Sequence, residues 1–112
     1  MMDEMRLSKS EIIEFEDLQS DWFSLRIGET IPRLEIAKIK KVTGNVTLDN
    51  LPGTDYKYII EATDEKALVV NSWSLWRKIR SALQSAGRIR VALELKHDGV
   101  EDYTVRVIDI ID

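Results

Sequence analysis

The chain has 112 residues, with 16 basic and 20 acidic side chains, one histidine and no cysteine. That length holds one hydrophobic core and excludes two ordinary domains, and the missing cysteines exclude a disulfide scaffold and thiolate metal sites and fit a reducing compartment, with the cytoplasm as the expected address. No apolar run approaches the roughly 18 residues needed to cross a membrane, and Met1-Met2-Asp3-Glu4-Met5-Arg6 lacks the basic start and apolar stretch of a secretory signal.

The net charge of −4 argues against a strongly basic nucleic-acid binder, but its distribution is uneven. Residues 1–35 hold 4 basic and 9 acidic side chains, residues 36–97 hold 11 and 6, and residues 98–112 hold 1 and 5. A basic middle is flanked by acidic ends. Such asymmetry suits either a charged partner or ordinary surface solubility.

In chain order, Ser8-Lys9-Ser10-Glu11 has the spacing of a capping box and starts a short helix to about Gln19. Ile13 breaks the apolar stripe of Ile12, Phe15 and Leu18, so an extended arm is the alternative. Trp22 to Ile27 reads as a strand closed by Gly28-Glu29. Pro32 has no amide donor and is expected before a strand or on an edge. The ordered core is expected from Arg33, which divides the chain into an extension over residues 1–32 and a domain over residues 33–112. Leu34 and Ile36 alternate with polar residues, then the apolar phase slips to Ile39 and Val42. A one-residue slip in a two-residue repeat predicts a β-bulge near Ala37-Lys38.

Thr43-Gly44-Asn45 ends this first strand, and a loop with a Pro52-Gly53 turn follows to Asp55. Tyr56 to Ala62 is the second strand, Thr63-Asp64-Glu65 a turn, and Ala67 to Val70 the third strand. Ser72 caps a helix whose Leu75, Trp76, Ile79, Ala82, Leu83 and Ala86 fall on one face, and Gly87 supplies a left-handed C-terminal cap. Ile89, Val91, Leu93 and Leu95 alternate in the fourth strand, His97 to Asp102 is a hairpin loop, and Tyr103, Val105 and Val107 alternate in the fifth.

Three strands, a helix, then a hairpin is the order of the OB-fold, and residues Arg33 to Ile108 resemble that family, small phage and archaeal single-stranded DNA-binding proteins among them. The resemblance lies in topology and spacing. It implies a mainly β protein with one helix, arranged as a five-stranded barrel with an N-terminal extension. An SH3-like barrel with an inserted helix and an α+β roll are the rival folds. OB-folds bind oligonucleotides, oligosaccharides and proteins, across the second and third strands and the loops beside them. Here those are Tyr56 to Val70, the Gly44–Asp55 loop and the His97–Asp102 loop.

Single-strand binding needs cations for phosphates and flat side chains for bases. The candidates are Lys38, Lys40 and Lys57 for phosphates, joined by Arg77, Arg88 and Arg90 around the helix, with Tyr56, Tyr58 and Trp73 as stacking platforms. Lys41 lies beside them on the first strand. Tyr56 and Tyr58 share one face of their strand and Lys57 takes the other, with Ile59 and Glu61. If Tyr58 and Ile60 face outward, Ile59 points into the barrel; if Tyr58 points inward, both tyrosines belong to the core. Trp76 fits the apolar helix face, whereas Trp73 lies off it. The helix cations also suit a plain solvated face.

His97 sits in the expected turn as a water-exposed histidine. Glu101 and Asp102 complete no EF-hand spacing. No Gly-x-Ser-x-Gly elbow is present, and Gly28, Gly44, Gly53, Gly87 and Gly99 are too scattered for a phosphate loop. The expectation is a binding module without catalysis, metal or nucleotide cofactor, whose partner is single-stranded DNA or RNA. A protein partner docked on the same barrel is the alternative, no membrane is involved, and the oligomeric state is open, a homodimer included.

Overall fold

The periodicities in the sequence become six strands and one helix in a computed structural model that describes residues 21–44 and 50–111. The helix expected from Ser8 to Gln19 lies outside the described residues. The elements are β1 (Asp21–Trp22), β2 (Thr30–Thr43), β3 (Tyr56–Ala62), β4 (Lys66–Val70), α1 (Trp73–Ala86), β5 (Val91–Gly99) and β6 (Asp102–Ile110). They form one sheet in the order β1-β4-β3-β2-β5-β6. Five strands pair antiparallel, and β1 adds to β4 in parallel. Over the described residues the protein is therefore mainly β with one helix, and none of its described helices is long and apolar enough to cross a membrane.

The long β2 serves two neighbours. Its first half, Thr30 to Glu35, pairs with β5, and its second half, Ile36 to Thr43, pairs with β3. The register shifts between Ile36 and Lys38, where the apolar phase slips in the sequence. Ala37 is the extra residue, so Ile36 and Ile39 both turn toward the core side. A second shift between Ile31 and Leu34 holds Pro32. Pro32 thus stands inside β2 rather than before it, and the strand begins at Thr30 instead of Arg33. A bulge is where a strand tolerates a residue with no N–H to give.

The barrel expected from the OB resemblance does not close by hydrogen bonding among the described residues: β4 and β6 are not paired. At Lys66 and Ala67 the edge of β4 is taken by β1, and the Phe23 N–H extends the contact to the Ala67 carbonyl at 2.8 Å. The strand expected over Trp22–Ile27 shortens to Asp21–Trp22 because the chain then leaves the sheet edge. It turns at Gly28, whose φ of +90° favours glycine. It rejoins at β5, where the Gly28 N–H donates to the His97 carbonyl at 2.7 Å and the His97 N–H donates to the Glu29 carbonyl at 3.1 Å.

The core lies between the inner face of the sheet and α1. Leu34, Ile36, Ile60, Val70, Ile79, Val91, Leu93 and Leu95 are all fully buried. Ser72 caps α1 by accepting the Leu75 N–H, and Gly87 closes it at φ +75°, donating its N–H to the Leu83 carbonyl. The helix buries Leu75, Trp76 and Ile79 and packs across β6. Ile89, expected to open the fourth strand, is half exposed and lies before β5, which starts at Val91.

The expected six-residue hairpin loop shrinks to Val100-Glu101, with Glu101 left-handed at φ +55°. His97 accordingly lies within β5, half-buried, its ring stacked on Tyr103 at 4.2 Å and its Nδ1 2.9 Å from the Leu25 carbonyl. A carbonyl can only accept, so Nδ1 carries the proton. Packing on both sides overrides the turn chemistry of Asp98-Gly99.

An exposed polar network ties β2 to β6. The Arg33 guanidinium donates to Glu35 at 2.7 Å and to Asp109 at 3.0 Å, and the Thr63 hydroxyl donates to Glu35 at 2.9 Å. The Arg33 hydrogen bond is the main reason both carboxyls are held below their usual range. Groups depressed on folding stabilise above their unfolded values and lose that contribution as pH falls through the folded ones. The thermal midpoint should therefore hold from neutrality to about pH 5 and then fall as acid enters the carboxylate range. In Arg33→Ala that acid-dependent fall should be shallower, as a pH series of melting curves would show.

Candidate nucleic-acid interface

The register of four strands decides which side chains share the outer face of the sheet, the side away from α1. Directly opposed residues share a face, and Trp22, Ala67, Glu61 and Lys38 lie opposite one another in a row across β1, β4, β3 and β2. The next row is Val69, Ile59 and Lys40, and the third is Lys57 and Val42. The bulge precedes Lys38, so Lys38 and Lys40 project together, as two residues apart on a regular strand must. The result is an apolar strip of half-buried Val42, Ile59 and Val69, bordered by three lysines and, on β1, by a tryptophan 41% exposed.

Among the described residues one acid, Glu61, stands in the rows of this cationic face. Glu61 pairs with Lys40 at 2.7 Å, and the pair is open to water on both sides. The Lys40 hydrogen bond holds the Glu61 carboxyl below its usual range, and Lys38 adds to the effect. The carboxylate reports a positive local field. An exposed pair of this kind contributes at most about 1 kcal/mol, so a phosphate can displace Glu61 from Lys40 at small cost.

The sequence-predicted aromatic platforms lie on the other face. Tyr58 points inward with Ile60 and stacks on Trp76, ring centroids 3.8 Å apart and planes 9° apart. Tyr56 packs edge-on against Tyr58 at 5.8 Å and Trp73 at 6.3 Å, and the Lys41 ammonium sits 4.1 Å over its ring. Trp73 is half-buried and donates its indole N–H to the Pro52 carbonyl at 3.0 Å. These rings close one end of the core. Tyr56, Tyr58 and Trp73 therefore do not join Lys38, Lys40 and Lys57, and the expected site is divided between two faces. Packing decides the parity: Ile60 is buried against Ile39, Leu68 and the helix, and Tyr56 and Tyr58 share its side of the strand, which leaves Lys57 and Glu61 on the outer face.

The remaining cations are scattered. Arg77 is exposed on α1 and lines a cleft of about 540 Å³ with Trp73, His97 and Val100. Arg88 and Arg90 are exposed in the segment between α1 and β5, outside the paired rows. The ring that does belong to the outer face, Trp22, was not among the stacking candidates. A signal existed, because adjacent Trp22 and Phe23 on an extended segment must point to opposite faces, which leaves one of them outside. Among the described residues no three His, Asp or Glu side chains stand together to hold a metal ion. Dialysis against a chelator should leave the thermal midpoint unchanged, and a large fall would reveal a metal site. No family model matches the chain, and neither a curated protein nor a solved structure matches it.

Proposed function

We propose that the outer face of β1, β4, β3 and β2 binds single-stranded DNA or RNA with little sequence preference, in an OB-like domain. The observation that carries this reading is the gathering of Lys38, Lys40 and Lys57 around an open apolar strip, with Trp22 at its border. Lysines supply point charges for phosphates, and a ring plus an aliphatic strip accept bases through their flat faces, which every base has. The element order and the extension of this face over the second and third of the five antiparallel strands, beside the first, support the OB reading. Nothing in the arrangement offers a hydrogen-bonding code for base edges.

The test is fluorescence anisotropy of a labelled oligo-dT at several salt concentrations. Three phosphates neutralised on a single strand give a slope of about −2 in log affinity against log salt. Raising monovalent salt from about 50 to about 200 mM should then weaken binding about 20-fold. Trp22→Ala should weaken it by about 1–3 kcal/mol with the slope unchanged. Absence of binding at the lowest salt would overturn the proposal.

A protein partner is the second reading, and β6 is the feature that favours it. Among the described residues β6 has no strand on its outer side, and Ile89, Ile108 and Ile110 are exposed near its end. Two devices blunt that edge. The shifted register makes Ile108 a bulge opposite Ala92 and Leu93, and Lys78 donates to the Tyr103 carbonyl at 2.9 Å. The lysine face is thus the stronger candidate.

A further inference from the structure

Residues 1–20 carry 6 acidic and 2 basic side chains, whereas residues 21–112 hold 14 of each sign. The whole net charge of the chain therefore belongs to one segment. That segment enters the sheet at β1, in the row that continues through Glu61 to Lys38. Lys38 lies three strands from β1, about 14 Å at the usual strand spacing. The ten residue steps from Glu11 to Asp21 span about 15 Å as a helix and about 33 Å when extended, so the lysines of the face are within range of this segment.

Composition matches the face as well as charge does. Glu11, Glu14, Glu16 and Asp17 are interleaved with Ile12, Ile13, Phe15 and Leu18. The outer face offers lysines around Val42, Ile59 and Val69. The segment thus carries both the acids and the apolar side chains that would complement this face.

We propose that residues 11–18 dock on the Lys38–Lys40–Lys57 face of their own molecule and compete there with nucleic acid. The docking stands on charge, composition and point of entry, and the competition rests on the nucleic-acid reading above. The occupant is the chain itself because β1 holds the segment beside the face, which gives it an effective concentration no dilute partner matches.

Zero-length carbodiimide coupling of the full chain, followed by peptide mass spectrometry, tests the docking without any ligand. The expected amide links join Glu11, Glu14, Glu16 or Asp17 to Lys38, Lys40 or Lys57 within one molecule. Links confined to Lys66, Lys78 or Lys96, links only between molecules, or none would overturn it. The full-length variant E11Q/E14Q/E16Q/D17N tests the competition and should bind oligo-dT about tenfold tighter than the parent at low salt. Equal affinity of the two proteins would overturn the competition. If the links form and neither protein binds oligo-dT, the docking stands and the nucleic-acid reading falls.

Discussion

Ile79→Ala is expected to cost about 3–4 kcal/mol, as a urea titration would measure, and Leu83→Ala only about 1–2 kcal/mol. Both residues lie on the apolar face of α1, but Ile79 is fully buried while Leu83 is half-buried toward the C-terminal end. Ile79 belongs to one buried cluster with Leu34, Val91 and Leu93, all at zero exposure, so a truncated side chain leaves a cavity that the strands cannot collapse into. At Leu83 water already reaches part of the side chain, so less burial is lost and the site relaxes more easily. Equal losses at the two positions would mean that α1 is rotated about its axis. The denaturant slope should stay constant in both variants, since neither changes the surface exposed on unfolding.

Replacing Lys38, Lys40 and Lys57 together by glutamine should lower oligo-dT affinity on the order of 100-fold at low salt and bring the salt slope from about −2 toward zero. The three lysines are the cations that the strand register brings to one open face. Their loss should change stability by less than about 1 kcal/mol, because the three lysines lie on the outer face and the Lys40–Glu61 pair among them is exposed. Arg77→Gln is the matched control. It removes an exposed cation at the cleft beside Trp73 and should leave both affinity and slope unchanged. A slope that survives the triple change and shrinks by about 0.7 in Arg77→Gln would move the interface to that cleft.

Much of the fold was legible where a local rule and the global packing agree. Tyr56–Ala62 matches its expected limits because a Pro-Gly turn precedes it and Thr63-Asp64 follows it. The bulge at Ala37 followed from the slip of apolar phase, and both caps of α1 followed from Ser72 and Gly87. The failures are places where a distant contact decides. Pro32 reads as a boundary or an edge residue, and only pairing with β5 shows the bulge around it. Asp98-Gly99 reads as a turn. Asp98 instead accepts the Thr104 hydroxyl at 2.7 Å while His97 is held by Leu25 and Tyr103, which carries the strand on to Gly99. The cover on the edge of β4 depends on β1, a strand of two residues too short to show a pattern of its own.

The candidate site was half legible for the same kind of reason. Lys38 and Lys40 share a face as long as no bulge separates them, and the register places the bulge before Lys38. The side taken by Tyr56 and Tyr58 could not be read from β3 alone, because Ile59 and Ile60 make both parities apolar. Burial of Ile60 against Leu68, Ile39 and the helix settles it, and that needs three other elements. Trp22 joins the lysines only through a parallel pairing with Ala67, across more than forty residues of chain.

Two-dimensional amide NMR during titration with unlabelled oligo-dT tests the central claim most directly, because it maps the contact residue by residue. The predicted result is a contiguous set of shifts at Lys38, Lys40, Lys57, Ile59 and Val69 and at the Trp22 indole, while Arg77, His97 and the α1 amides stay in place. Shifts concentrated at Trp73, Arg77 and His97, or no shifts at low salt, would contradict it.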